Sequence, residues 1–198
     1  MKKTLPFTLP LEINDSPLSF NSKKVVSFSP KKYAKIVYYK SEDDFAINLS
    51  FKDEENEMIL VKTKLNEEKS LKDYLPNVEE YKLCSLYPDD ILEIPEIEFD
   101  LESKFPTLKD TKIQQQNDGR EALIKEISQR TSFVLDHKGA SRESETIMIG
   151  QSWNCMFPEK KVMKFDKPFA VYLKKKKNIE PYFATLFSTA EFFKPSSK

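Results

Sequence analysis

Near its end the chain reads Phe169-Ala170-Val171-Tyr172-Leu173 and, after a charged stretch, Tyr182-Phe183-Ala184-Thr185-Leu186-Phe187. Apolar residues occupy successive positions in both runs, so each strand carries apolar side chains on both of its faces. Strands of this kind lie buried between layers, and the two runs predict a buried hairpin. The intervening Lys174-Lys175-Lys176-Lys177 is interpreted as a solvated hairpin turn, in preference to a localisation signal or a phosphate-binding patch.

Further strands are predicted upstream of this hairpin. Alternating apolar residues mark a half-buried strand over residues 45–51, and β-prone runs at 36–39 and 58–63 flank it to form an antiparallel meander. Residues 91–101 predict an edge or bulged strand, because Pro95 lacks the N–H that a ladder needs. Asn66 is predicted to cap a short helix that Pro76 ends. The pattern as a whole indicates an α+β chain, mostly antiparallel β, with few helices.

The composition sets the scale of this fold and its division. The chain has 198 residues, which corresponds to one or two domains with a sizeable core. Residues 1–32 are rich in proline, serine and lysine and predict an extended N-terminal arm. Residues 33–198 are predicted to form the folded domain.

Several classes of site are excluded by residue counts. Lys plus Arg and Asp plus Glu both number 32, so the net charge is zero and a dedicated nucleic-acid binder is not indicated. Three widely separated glycines cannot form a dinucleotide fingerprint or a phosphate-binding loop. A single histidine excludes metal sites that need two. We therefore predict no cofactor, no metal ligand and no catalytic residue.

The N-terminus and the cysteines bear on location. The start Met1-Lys2-Lys3-Thr4 is basic, but the apolar stretch after it is short and broken by prolines, so no secretory signal is predicted. No apolar run is long enough to span a membrane. Cys84 and Cys155 form no CxxC pair, and two reduced thiols are favoured over a disulfide. These features favour a cytoplasmic protein, or an extracellular one if the chain is a fragment of a longer precursor.

One segment, residues 140–157, has no clean periodicity. A long irregular connection inside a compact domain is uncommon and is often functional; a helix over residues 142–149 is the alternative. His137 just before this segment is interpreted as a surface histidine in a turn, since no nucleophile motif accompanies it. Cys155 within it is interpreted as an unactivated thiol, because no basic residue adjoins it.

The order of these pieces resembles the serpin family. Thr131–Gly139 is similar to the serpin strand that leads into the reactive loop, which reads as an aromatic residue, Glu-Val-Asn, two glutamates and a glycine. Ile94–Leu101 resembles the family's Leu-Pro-Lys-Phe-Lys-Phe strand. Phe165–Leu173 resembles its Asp-His-Pro-Phe strand, and Tyr182–Ser188 resembles the hairpin partner of that strand. By this resemblance, residues 121–129 are expected to be strand although their local propensity is helical.

The resemblance implies a partial fold and a specific loop. It covers the C-terminal half of a serpin, over roughly residues 33–187. Gly139, Ala140, Ser141 and Arg142 would form the hinge of the reactive loop, and Ser152, Trp153, Asn154 and Cys155 would surround its bait bond. Inhibitory serpins trap proteases by inserting the cleaved loop into a sheet as a new strand. Here insertion would bury a charge in either register, Arg142 on one face or Glu143 and Glu145 on the other, at a cost of several kcal/mol.

Three functional hypotheses follow. The first is a non-inhibitory, non-enzymatic serpin-like protein that binds a protein partner, with a protease as one class of partner, through an exposed loop at 140–157. The second is a working serine protease inhibitor whose bait bond lies near Trp153-Asn154. The third is a structural subunit completed by a partner chain. The sequence leaves the oligomeric state open.

Overall fold

A computed structural model describes residues 7, 11–51, 55–64, 66, 70–77, 81, 83–104, 107, 112–114, 121–123, 128–137 and 159–197. The strands, numbered in chain order, are β1 Leu18–Phe20, β2 Lys23–Val25, β3 Ser27–Phe28, β4 Ala34–Ser41, β5 Asp44–Ser50, β6 Asn56–Lys62, β7 Cys84–Ser85, β8 Ile91–Pro95, β9 Ile97–Lys104, β10 Lys112–Gln114, β11 Glu121–Leu123, β12 Ser128–Leu135, β13 Val162–Lys164, β14 Phe169–Lys175 and β15 Phe183–Phe187. Two 3-10 helices, η1 Lys31–Tyr33 and η2 Leu71–Tyr74, are the helices within these residues.

Antiparallel pairing dominates this fold. Every strand pair is antiparallel except β8 with β13, which is parallel. The predicted fold class, mostly antiparallel β with few helices, is confirmed. The chain divides into two compact units, one formed by residues 1–96 with 136–198 and the other by residues 97–135.

The first unit is built on a six-stranded sheet of order β15-β14-β6-β5-β4-β7. The predicted meander supplies β4, β5 and β6, and β14 then joins at the outer side of β6, so that Phe169 lies opposite Lys62 and Leu173 opposite Met58. Apolar side chains run along both faces of β14, as predicted: Phe169, Val171 and Tyr172 are fully buried. Burying such side chains from water is the main force that holds the sheet to its neighbours.

A small apolar layer covers one face of this sheet. Val37, Ala46, Ile59, Val61, Ala170 and Tyr172 form the buried cluster, with Leu71, Tyr74 and Leu75 of the η2 region packed against it. The helix begins at Ser70, whose backbone N–H donates to Asp73 in a capping box. The predicted cap, Asn66, is not the cap; its backbone N–H instead donates to the Tyr74 hydroxyl at 2.5 Å.

The segment around Pro95 forms two strands rather than the single strand predicted. β8 lies in the middle of a three-stranded sheet of order β13-β8-β3, and Pro95 is its last residue, opposite Ser27. Glu96 separates β8 from β9. Proline cannot donate to a ladder, and β8 ends at Pro95; the chain leaves the first unit one residue later, after Glu96.

The N-terminal residues contribute to the core. The division of the chain at residue 32 and the extended arm before it stay predictions; the structure describes residues 11–32. They contain β1 to β3, and Phe20 and Phe28 are completely buried. The Phe20 ring packs edge-on against the ring of Phe193, with 4.6 Å between the ring centroids, and against that of Phe169, with 6.2 Å between the centroids. Proline, serine and lysine dominate the composition of residues 1–32, so composition alone did not predict that these phenylalanines are buried.

The lysine run is also different from its interpretation as a solvated turn. β14 extends through Lys174 and Lys175, and the turn begins at Lys176. The Lys174 side chain is only 9% exposed, and its Nζ lies 3.1 Å from Oε1 of Glu57, which is 8% exposed. The Glu57 carboxylate also accepts a 2.7 Å hydrogen bond from Nδ2 of Asn48. Only the last three lysines are exposed, so the run is part strand and part turn.

Candidate functional site

The candidate loop leaves and re-enters the described structure at His137 and Glu159. The predicted hinge residues Gly139, Ala140, Ser141 and Arg142 lie outside the described residues. The predicted bait residues Ser152, Trp153, Asn154 and Cys155 lie outside them as well, so both assignments stay predictions. What the structure does define is the strand that leads towards the loop and the contacts at the two ends.

The strand that leads towards the loop is β12, which pairs with β9 in the second unit. The register places Leu135 opposite Ile97, Phe133 opposite Phe99 and Thr131 opposite Leu101, so these side chains share one face of the ribbon. Phe133 and Leu135 are buried. The other face of the ribbon is largely polar, because acidic residues of β9 alternate with its apolar ones. Within the described residues this sheet has two strands.

An ion pair links the two strands across the polar face. The Arg130 guanidinium donates from Nε to Oδ1 of Asp100 at 2.8 Å and from its second nitrogen to Oδ2 of the same carboxylate. The guanidinium holds the pKa of the Asp100 carboxyl below its usual range. Both side chains are exposed, so the pair fixes register more than it adds stability.

A buried carboxylate lies at the base of the loop. Glu96 is 4% exposed, its Oε1 contacts Nδ1 of His137, and its Oε2 accepts a 3.0 Å bond from Nζ of Lys194. Burial raises the pKa of Glu96, but the hydrogen bonds from His137 and Lys194 outweigh this and leave it below the usual range. Glu96 therefore holds a negative charge, and the side chains of His137 and Lys194 contact its two oxygens. The predicted surface histidine is in fact a partly buried member of this cluster, with 17% of its side chain exposed.

Backbone hydrogen bonds hold the three members in place. The Lys194 N–H donates to the Glu96 carbonyl at 3.1 Å, and the Glu96 N–H donates to the Val26 carbonyl at 2.9 Å. The Leu11 N–H donates to the His137 carbonyl at 3.0 Å. Segments distant in sequence thus meet at Glu96. His137, which precedes the candidate loop, is held in position by these contacts.

The return end of the loop is fixed by β13. This strand runs parallel to β8, with Val162 opposite Ile91 and Lys164 opposite Glu93. Just before it, the Lys161 N–H donates to Oδ1 of the buried Asp90 at 2.9 Å. Both ends of the undescribed segment are therefore anchored in the first unit.

Comparisons with known proteins identify this arrangement. No model of a protein family matches the sequence, and no curated protein matches it. Solved structures do match: a highly specific serpin of the insect Tenebrio molitor, at 17% identity and a TM-score of 0.56, and maspin, at 15% identity and a TM-score of 0.60. The fold is that of a serpin. The resemblance predicted from the sequence is confirmed at this level.

The likeness is partial in length. The alignments cover 94% of this chain but only 53% of the Tenebrio serpin and 55% of maspin, so the chain spans about half the length of these serpins. Thyroxine-binding globulin, solved in complex with thyroxine, also matches, at 9% identity and a TM-score of 0.58 over 92% of this chain and 53% of its own. The solved structures that match therefore include one with a small molecule bound.

Sequence reasoning examined the segments that carry Glu96 and His137 separately and missed this pair. The contact joins residues 41 positions apart, and neither segment has a local pattern that indicates it.

Within the part of the chain that the structure describes, no three histidine, cysteine, aspartate or glutamate side chains are grouped so as to hold a metal ion. No described helix has the length and apolar character needed to cross a bilayer. Among the described residues, the first unit thus supplies a paired buried carboxylate at Glu96 and the strand β13, and the second unit supplies a two-stranded ribbon.

Proposed function

We propose that this chain is a non-inhibitory serpin-like protein that acts by binding another protein through the loop at residues 140–157, and not by catalysis. The observation that carries the proposal is the sheet that contains β12, the strand that leads towards the loop. Among the described residues, β12 has β9 as its one neighbouring strand.

This sheet gives an inserted loop little to gain. A strand inserted between two others forms ladders on both of its sides, whereas a strand added beside β12 would form one ladder and become an edge. The hinge sequence adds a second cost, because Arg142 or the pair Glu143 and Glu145 would face inward. An uncompensated buried charge costs several kcal/mol after relaxation. Both effects oppose the insertion on which protease trapping depends.

Incubation with proteases tests the proposal. The protein is mixed with a chymotrypsin-like, a trypsin-like and a papain-like protease, and the products are separated by denaturing electrophoresis, with an inhibitory serpin as the positive control. We expect cleavage within the loop and no covalent complex. A stable complex with the chymotrypsin-like enzyme would instead support the second hypothesis, an inhibitor with a bait bond near Trp153-Asn154, since such enzymes prefer a large apolar residue there.

A hinge variant separates the two costs. Replacing Arg142, Glu143 and Glu145 together by threonine and alanine removes the buried charges but leaves the two-stranded ribbon unchanged. We expect this variant to form no complex either. Recovery of trapping would show that the hinge charges alone prevent insertion and that the ribbon is not the limit.

Partner binding through the loop is tested by replacement. Residues 145–155 are exchanged for a glycine-serine linker of equal length, and the intact and exchanged proteins are used as parallel baits. The proposal expects partners that bind the intact protein alone. The third hypothesis, a subunit completed by a partner chain, expects partners that bind both proteins equally.

A further inference from the structure

We propose that β15 is the contact surface for a second copy of this chain, which pairs with it antiparallel about a two-fold axis at Thr185. The inference is independent of the loop function proposed above. It rests on the position of β15, on the side chains along its edge and on the charges at its two ends.

Among the described residues, β15 is the outermost strand of the six-stranded sheet, with β7 at the opposite edge. Proteins protect sheet edges by keeping the strand very short or by placing charges, prolines or bulges on it. β7 follows this rule, because it has two residues. β15 does not: its five residues, Phe-Ala-Thr-Leu-Phe, contain neither charge nor proline, and its pairing with β14 is regular throughout.

The side chains along β15 leave an apolar row in solvent. Ala184 is exposed, Leu186 is 39% exposed, and Tyr182 just before the strand is 50% exposed. These three share one face, since alternate residues of a strand point to the same side. Ile179 in the preceding turn is 83% exposed. Apolar side chains next to an outermost strand are the arrangement that β-strand addition uses.

A two-fold axis at Thr185 makes the strand complementary to itself. On the exposed face, the small side chain of Ala184 then lies opposite the larger side chain of Leu186 of the second copy. On the other face, Phe183 lies opposite Phe187 of the second copy. An axis perpendicular to the sheet keeps each face on its own side, and the apolar row continues across the interface. When a strand pairs with a second copy of itself, any charged residue near the two-fold axis lies close to the same residue of the second copy, and the like charges repel. β15 carries no charge and avoids this repulsion.

The charges beyond the strand also favour the antiparallel arrangement. Lys175, Lys176 and Lys177 are exposed before the start of β15, and Glu191 is exposed after its end. Antiparallel pairing brings the start of one strand beside the end of the other, so opposite charges meet at both ends of the interface. The neighbouring Glu180 is already paired with Lys72 at 2.5 Å. A five-residue strand forms a small interface, below the roughly 1,000 Å² expected of a stable complex, and the dimer is therefore reversible.

Sedimentation velocity over a wide range of protein concentration tests the inference. The full chain should change from monomer to dimer as its concentration rises. Leu186→Lys should abolish the dimer, because it places a charge on the apolar row. Leu101→Lys is the matched control: Leu101 is a similarly exposed leucine, at 45%, on β9, and its variant should dimerise as the unchanged protein does. Thermal melts of both variants verify that they fold.

A mixture of variants tests the register. Ala184→Glu alone and Leu186→Lys alone should each stay monomeric, whereas their equimolar mixture should form a heterodimer, because the glutamate of one copy then lies opposite the lysine of the other. A chain that stays monomeric at all concentrations would overturn the inference. So would a dimer that survives Leu186→Lys, and a mixture that stays monomeric would overturn the register.

Discussion

Replacing Lys174 by alanine should destabilise the protein far more than the same replacement of Lys176, two positions along the same run of lysines. Lys174 and Glu57 are both less than a tenth exposed and lie 3.1 Å apart. The alanine variant leaves the Glu57 carboxylate buried, with the hydrogen bond from Asn48 as its remaining partner among those described. Removing one member of a buried ion pair costs about 3–5 kcal/mol. For a chain of this size, about 2–4 °C per kcal/mol corresponds to a fall in melting temperature of roughly 6–20 °C.

The control is Lys176→Ala, which changes an exposed turn residue and should alter the unfolding free energy by about 0.5 kcal/mol or less. The double variant Lys174→Met with Glu57→Leu removes both charges and should recover most of the lost stability, since a buried pair can be replaced by apolar residues at little cost. Urea denaturation of the unchanged protein, of the single variants Lys174→Met and Glu57→Leu, and of the double variant gives the coupling energy between the two positions. Equal losses for Lys174→Ala and Lys176→Ala, or strictly additive losses in the double variant, would refute the reasoning.

Three further predictions follow from the core, the buried carboxylate and the loop. Phe169→Ala should lower the unfolding free energy by about 3–5 kcal/mol, because this fully buried ring contacts four other phenylalanine rings; in thermal melts the exposed pair change Lys175→Ser with Lys176→Ser should have little effect, and the reverse outcome would contradict the core assignment. Because the pKa of Glu96 is lowered in the folded state, its stabilising contribution is present above the usual glutamate value of about 4.3 and is lost as the pH falls below it; unfolding free energies measured across this range should fall less steeply for Glu96→Gln, and identical slopes would argue against the buried ion pair. Limited proteolysis followed by mass spectrometry should place the first cuts in residues 140–157, and first cuts confined to residues 1–32 would argue against an exposed loop.

The strands of the six-stranded sheet could be predicted because their signals are local. Alternation at Phe45, Ile47 and Leu49 and the continuous apolar run from Phe169 to Leu173 each determine a strand and its burial within a few residues. The serpin-like order of the pieces then gave the fold class. These predictions needed no knowledge of which strand lies beside which.

Other features could not be predicted because they depend on partners distant in the sequence. Lys174 is buried because Glu57 lies beside it on β6, and nothing in a run of four lysines distinguishes the first from the others. Asn66 and Ser70 both suit a helix cap, and the choice of Ser70 depends on Asp73 completing the capping box. Phe20 is buried by phenylalanines from the C-terminal part of the chain, which the composition of residues 1–32 could not indicate.

The cluster at Glu96 bears on how the candidate loop would behave. His137 is held just before the candidate loop through its side-chain contact with Glu96 and the hydrogen bond from Leu11 to its carbonyl. Glu96 is buried, so withdrawing His137 would leave its carboxylate with Lys194, a side chain that is 56% exposed. Loss of one partner of a buried charge is costly, so the contacts of Glu96 hold His137 firmly in its position. Under the function proposed above, a loop whose ends are held in this way would be presented to a partner protein from two fixed points.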